Sequence, residues 1–189
     1  MAFTTIDDPS AYFKVQLYTG DGSTQAITFD DTDTDMQPDL VWLKDRATSE
    51  ASHKLYDSVR GTTKYIAANN NGAEGTESGV TAFDSDGFTI GSAAGTNANT
   101  VAFVSFCWKA GTTSGISGSP SITPAGYSFN ADSGFSIVKW TGTGANATIP
   151  HGLGTASIGA VLIKNLDGGN WAVYHHANTS APETDYLKL

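Results

Sequence analysis

Positive charge is scarce in this sequence of 189 residues. Ten Lys and Arg face nineteen Asp and Glu, for a formal net charge of −9 and a pI near 4.6. The cations are scattered and form no basic stretch. Nucleic-acid-binding domains neutralise phosphates with clustered Lys and Arg, so no nucleic-acid partner is expected. Cysteine is nearly absent. Cys107 stands alone, which rules out an internal disulfide framework and a Cys-based metal site. Within Val104-Ser-Phe-Cys-Trp108 it reads as a small buried strand residue rather than a reactive thiol. No apolar run nears the ~18 residues of a membrane span. The N-terminus, Met-Ala-Phe-Thr-Thr-Ile-Asp-Asp-Pro, lacks the basic and apolar regions of a signal peptide. A soluble chain made in the cytosol, with no membrane insertion, is the expectation.

What is present points to strands. Glycine is frequent at 21, charged residues make up 15% and hydrophobic residues 39%, a mixture suited to strands joined by tight turns around a real core. Phe13, Val15 and Leu17 alternate with Lys14, Gln16 and Tyr18, and Thr19-Gly-Asp-Gly-Ser then leads to Ala26-Ile-Thr-Phe29, the pattern of a hairpin. Leu40-Val-Trp-Leu43 and Ala102-Phe-Val-Ser-Phe-Cys-Trp108 are apolar enough for central strands. Val80-Thr-Ala-Phe83 and Phe88-Thr-Ile90 flank Asp84-Ser-Asp-Gly87 as a second hairpin, with Gly87 free to take a positive φ. Residues 46–56, the one stretch with helical length, are polar and read as loop followed by strand. The run Gly111-Thr-Thr-Ser-Gly-Ile-Ser-Gly118 reads as linker.

The beginning of the chain is written again near its end. Phe13-Lys-Val-Gln-Leu-Tyr18-Thr-Gly-Asp-Gly22 returns as Phe135-Ser-Ile-Val-Lys-Trp140-Thr-Gly-Thr-Gly144. Asp39-Leu-Val-Trp-Leu-Lys44-Asp45 is answered by Gly159-Ala-Val-Leu-Ile-Lys164-Asn165, and His53-Lys-Leu-Tyr56 by Trp171-Ala-Val-Tyr174. The offsets drift from 122 (13 to 135) to 120 (44 to 164) to 118 (53 to 171), as short loop deletions would make them. A period of this length is that of a domain, not of a solenoid unit. Tyr186-Leu187 resembles Tyr65-Ile66, and nothing answers the stretch 69–110. The expected organisation is a first β-sandwich over 1–110 with a short N-terminal arm, a Gly/Ser/Thr-rich linker over 111–134, and the first half of a second such domain over 135–189. A sandwich without its last strands exposes unpaired edges. The expectation is therefore that the polypeptide continues past Leu189, in preference to a neighbouring subunit donating the strands.

Tyr18-Thr-Gly-Asp-Gly, Pro38-Asp-Leu-Val-Trp-Leu-Lys44, Asp57-Ser-Val-Arg60-Gly61, Phe83-Asp-Ser-Asp-Gly87-Phe88 and Phe106-Cys-Trp108-Lys-Ala occur in this order. So arranged, they resemble a domain of virion proteins of marine tailed bacteriophages. Ile149-Pro-His151-Gly-Leu-Gly154 and the opening Phe3-Thr-Thr-Ile-Asp-Asp-Pro-Ser-Ala-Tyr12-Phe13 are in the same style. The resemblance implies a concanavalin A-like fold, an antiparallel jelly-roll β-sandwich, here with an incomplete second copy. It also implies a structural virion protein, made in the host cytoplasm and exposed on the particle. A tail fibre anchored by its N-terminal part and attaching to the host surface is the first expectation. A capsid decoration or head-fibre protein is the alternative, and a tail polysaccharide depolymerase a further one. Implied partners are other virion proteins, further copies of the chain (as a trimer) and a host surface glycan.

Enzymatic chemistry finds little material. Jelly-roll glucanases need two carboxyl groups across a sugar bond, and the only glutamates are Glu50, Glu74, Glu77 and Glu183. Glu74 and Glu77 lie in a glycine-rich stretch expected to hold them loosely. There is no Gly-x-Ser-x-Gly elbow and no phosphate-binding glycine loop. His53, His151, His175 and His176 have no metal-ligand spacing; His151 reads as a turn residue, and adjacent His175 and His176 are expected on opposite sides of a strand. Asp30-Asp-Thr-Asp33-Thr-Asp35 has the oxygen ligands calcium favours, with Asp31, Asp33 and Asp35 brought to one side by alternation. It lacks the Gly and the distal Glu of an EF-hand loop and reads as a solvated turn. Trp42 and Trp108 read as core, and Trp140 and Trp171 replace Tyr18 and His53, so no sugar platform is assigned. No catalytic residue, cofactor or metal site is expected.

Overall fold

Fourteen short strands carry nearly all the regular structure in the computed structural model, which describes residues 6–32, 34–48, 51–155, 157–181 and 187–188. β1 (Phe13–Thr19), β2 (Gln25–Thr28), β3 (Leu40–Asp45), β4 (Lys54–Asp57), β5 (Lys64–Ala67), β6 (Gly75–Thr76), β7 (Val80–Asp84), β8 (Gly87–Ile90) and β9 (Ala102–Trp108) come first. β10 (Gly126–Asn130), β11 (Phe135–Lys139), β12 (Ala160–Ile163), β13 (Ala172–His175) and β14 (Leu187–Lys188) follow. Among the described residues, helix is limited to a 3-10 turn at Pro9–Ala11 and to α1 (Ala94–Asn97). The protein is all-β, and each strand pair is antiparallel.

The first nine strands form two sheets, in the orders β1-β9-β3-β4-β5-β6 and β2-β8-β7. Alternation along each strand puts one set of side chains between them. Val41, Leu43, Tyr56 and Cys107 from the larger sheet meet Ile27, Val80, Phe88 and Ile90 from the smaller one, and Phe29 and Met36 close the layer. Burying a side chain of the size of Phe88 contributes about 1.5–3 kcal/mol. Cys107 is buried there, and burial pushes its thiol up to about 12, far from a reactive thiolate. β9, distant in sequence, lies between β1 and β3, so this sheet closes only when residues some ninety positions apart meet (Gln16 opposite Ser105).

The second hairpin forms as expected, with Asp84 opposite Gly87. Gly87 has φ of 121°, and a Cβ there would lie 2.1 Å from the Ile27 carbonyl oxygen on the neighbouring strand β2. Gly87→Ala is expected to cost about 2–4 kcal/mol, combining the positive φ with the clash, read as a lowered midpoint in thermal unfolding. An unchanged midpoint would contradict this account.

The first hairpin does not form. β1 lies in the larger sheet and β2 in the smaller one, so residues 20–24 cross between layers instead of turning back. β1 also turns its apolar side outward: Phe13, Val15 and Leu17 are exposed, while Lys14 and Gln16 point in. Lys14 Nζ reaches Asp31 at 2.5 Å, and the Gln16 side-chain oxygen accepts from the Asp30 backbone N–H, so the inward polar groups are satisfied.

Past Trp108 the expected linker, 111–134, contains strand β10, which pairs with β11. Thr112 is also bridged to Phe129, so this stretch is partly sheet. β12, β13 and β14 make a three-stranded sheet. Its pairing parallels that of β3, β4 and β5: Trp42 faces Leu55 and Leu55 faces Ile66, while Leu162 faces Val173 and Val173 faces Leu187. These are the positions that the sequence repeat makes equivalent.

Candidate functional site: an apolar sheet face and its ionic rim

Because β1 turns its apolar residues outward, the larger sheet is apolar on both faces. On the outside, Phe13 pairs with Trp108, Val15 with Phe106 and Leu17 with Val104, and across β9 Leu40 and Trp42 continue the row. Phe13 and Trp108 have ring centroids 4.9 Å apart, and Trp42 packs edge-on to Phe106 at 6.5 Å. Trp42 and Trp108, expected in the core, are half-buried on this outer face instead. Strand alternation puts them there, because their neighbours Val41 and Cys107 point into the interior.

The two ends of the face differ. At the β4–β5 end the later part of the chain covers it: Trp171, only 4% exposed, packs with Leu55 and Ile66, flanked by Leu40, Trp42 and Leu166. Its indole N–H donates to the Ala67 carbonyl at 3.0 Å. The backbone joins in, with Glu74 N donating to Leu166 O and Gly169 N to Asn71 O. Phe135 stacks on Trp108 at 6.1 Å. A buried carboxylate ties in β10: Asp39 accepts from Ser58 Oγ, from Ala110 N and from Ser128 Oγ at 3.0 Å. At the β1 end Val15 is 47% and Leu17 55% exposed.

The rim beyond β5 is ionic. β6 pairs with β5 and draws the glycine-rich stretch onto the sheet end. Glu77 accepts from Lys54 Nζ at 2.6 Å and from the Tyr56 hydroxyl, and Glu74 meets Arg60 at 3.4 Å and Lys64 at 3.8 Å. Both glutamates, expected to be loose, are held by cations. Small residues are what permit it, since a Cβ on Gly79 would lie 2.0 Å from the Tyr56 hydroxyl and one on Gly75 2.5 Å from the Tyr65 ring. Burial, with the Glu77 carboxylate beside it, pushes the Tyr56 hydroxyl well above its ordinary value, so it stays protonated and acts as a donor. Arg60 is nearly buried, with Nε 2.5 Å from Asp57 and one amino group donating to Leu55 O. Each carboxylate thus neutralises a neighbouring cation, an arrangement suited to holding loops rather than to proton transfer.

The remaining candidates separate. Glu50, Glu183 and Asp33 lie outside the described residues. Asp31 serves Lys14, and residues 30–32 and 34–35 are in no strand, so the alternation that would gather the aspartates does not operate. No group of three or more His, Cys, Asp or Glu able to hold a metal occurs among the described residues. His151 lies just before a bend, its Nδ1 accepting from Leu153 N. His175 and His176, expected on opposite sides of a strand, stack at 4.9 Å, because β13 ends at His175 and the alternation ends with it. Trp140 is half-buried just after β11.

His53 was missed as part of the apolar face. Its Nδ1 accepts from the Trp42 indole at 3.1 Å. Partial burial, and second the Lys44 ammonium, hold its pKa below the ordinary 6.5. The unfolded chain therefore takes up this proton first as pH falls. The bond contributes stability that is present above about 6.5 and lost as pH drops through the folded value. An NMR titration of the ring is expected to show a midpoint below 6.5; one at or above it would reject this assignment.

No curated protein and no solved structure matches the chain. What the sheets, the shared face and its rim belong to is given by a family match over residues 8–189, nearly the whole length: the chain is a member of the family described as a domain of unknown function, DUF7483.

Proposed function

We propose that the chain is a structural protein of a tailed-bacteriophage virion, a tail fibre or fibre-like part anchored through its N-terminal portion and engaged in attachment to the host surface. The observation that carries this reading is the docking of one strand unit on the sheet face of another through Trp171. Repeated along a chain, that packing builds a rod of concanavalin A-like jelly-roll units, which is what the motif order resembles. The carboxylates at the rim are committed to ion pairs, which favours a mechanical role over a hydrolytic one. Attachment would then rest on many weak contacts made together by an oligomer, a trimer in the simplest case, so that avidity replaces a single strong sugar site.

Gold-labelled antibody to the purified chain, applied to intact particles, tests the proposal. Label at the tail is the expected result. Label over the capsid would replace the fibre by a decoration or head-fibre protein, and particles without label would end the virion reading. Reducing sugars released from host capsule by the pure protein would turn it into a depolymerase.

A further inference from the structure

Asn71 is the one asparagine in the sequence that is followed by glycine. Bulk on the following residue ordinarily keeps the next backbone nitrogen away from an asparagine side chain. Before Gly72 that bulk is missing, and the nitrogen can reach the Asn71 side-chain carbon to close a five-membered ring. The surroundings leave the pair free to react. Both residues are exposed, in a stretch between β5 and β6 without regular structure. The two preceding asparagines are engaged: Asn69 Oδ1 accepts from His53 N at 3.1 Å, and Asn70 Oδ1 from Gly72 N at 2.9 Å. The Asn71 side-chain amide has no hydrogen bond among the described residues. The bond that holds Gly72 N lies at the surface, where water replaces Asn70 at little cost.

The Asn71 backbone stands at the contact between the sandwich and the later strands. Its carbonyl accepts from Gly169 N at 2.8 Å, and three residues on Glu74 N donates to Leu166 O at 2.8 Å. A Cβ on Gly168 would lie 3.5 Å from the same Asn71 oxygen, so the two stretches touch closely here. Leu166 in turn packs beside Trp171, Leu55 and Ile66. The spacing of these two backbone bonds therefore sets how the segment before β13 lies against the sheet.

We propose that Asn71 is a site of spontaneous modification whose product loosens the docking of the later strands. The Gly72 nitrogen gives its proton to solvent base and bonds to Asn71 Cγ; the Cγ–Nδ2 bond breaks and the side-chain nitrogen leaves as ammonia. The resulting cyclic imide is opened by water. Opening at Cγ leaves aspartate in an unaltered chain, and opening at the backbone carbonyl carbon leaves isoaspartate. No oxidant or reductant takes part. In the isoaspartate the chain runs through Cβ and Cγ, one carbon longer, and the carbonyl that Gly169 N reached has become a free carboxylate. The bonds of residue 71 to Gly169 and of Glu74 to Leu166 can then no longer keep their spacing together.

The test ages the purified full chain in warm, mildly alkaline buffer and maps its peptides by mass spectrometry. The peptide holding Asn71 is expected to gain the mass that separates an acid from an amide before any other asparagine does. It should also accept a methyl group from an isoaspartate methyltransferase. Gly72→Ala should slow the reaction by about tenfold, because its methyl crowds the attacking nitrogen, and Asn71→Gln should stop it. In the aged chain, amide exchange at Glu74 and Gly169 is expected to quicken about tenfold, the local loss of roughly one hydrogen bond, while β3 and β9 keep their protection. Freshly prepared Asn71→Asp, which adds the charge without lengthening the chain, should not reproduce this. The proposal is overturned by an Asn71 that stays an amide, by another asparagine reacting first, or by a rate indifferent to Gly72→Ala. Exchange unchanged after the reaction, or equally quick in Asn71→Asp, would overturn it as well. Each outcome is independent of whether the protein resides on a virion.

Discussion

Trp171→Ala is expected to release the later strands from the sandwich at a cost of about 3–5 kcal/mol, the usual penalty for emptying a site of this size. The indole is 4% exposed, packs on Leu55 and Ile66, and donates to Ala67 O. Truncation removes the apolar contact and leaves that carbonyl without its partner. The loss should be local, because the core between the two sheets of the sandwich contains neither Trp171 nor its neighbours. Hydrogen exchange is thus expected to quicken in β12 and β13 while β3, β8 and β9 keep their protection. Uniform quickening would mean that the two cores unfold as one. Exchange like that of the unmodified chain would mean that Trp171 does not hold the unit at all.

The second large effect is expected at Asp57. Its carboxylate accepts from the Arg60 backbone N–H at 2.8 Å and from Nε at 2.5 Å, with both side chains almost out of solvent. Asp57→Ala leaves a buried guanidinium with Glu74, 3.4 Å away, as its remaining carboxylate. Breaking one side of such a pair costs about 3–5 kcal/mol, most of it from the stranded charge. Asp57→Ala combined with Arg60→Met should recover much of the loss, since the charge leaves with its partner and the methionine fills the space. Urea unfolding of the single and double variants checks this. A single variant within about 1 kcal/mol of the parent, or a double variant worse than the single, would remove the rim from the account of stability.

Much of the strand content is legible locally. Leu40-Val-Trp-Leu43, the Asp84-Ser-Asp-Gly87 turn and the strand that opens at Lys54 follow from residue type and spacing. The pairing of β12 with β13 matches that of β3 with β4 at the positions where the two sequence stretches align. The candidate surface is less legible in the sequence. Glu74 and Glu77 sit among glycines, which suggests slack. Their order comes from Lys54, Arg60 and Lys64, brought in by the pairing of β5 with β6. His53 gives no local sign of its bond to Trp42, eleven residues earlier, because the β3–β4 pairing is what brings the two together.

Alternation along a strand states which side chains share a face, and that is a local property of the backbone that the residues set by themselves. It fixed the all-β class, and the glycine after Asp84-Ser-Asp fixed the turn into β8. Which face becomes the interior is decided by whatever closes over it. For β1 that was Asp31 drawing Lys14 inward and β9 arriving from far along the chain to line Phe106 and Trp108 up beside Val15 and Phe13. Trp171, which the sequence alignment sets against His53, is the most deeply buried tryptophan among the described residues because the sheet face it meets exists only once the strands have paired.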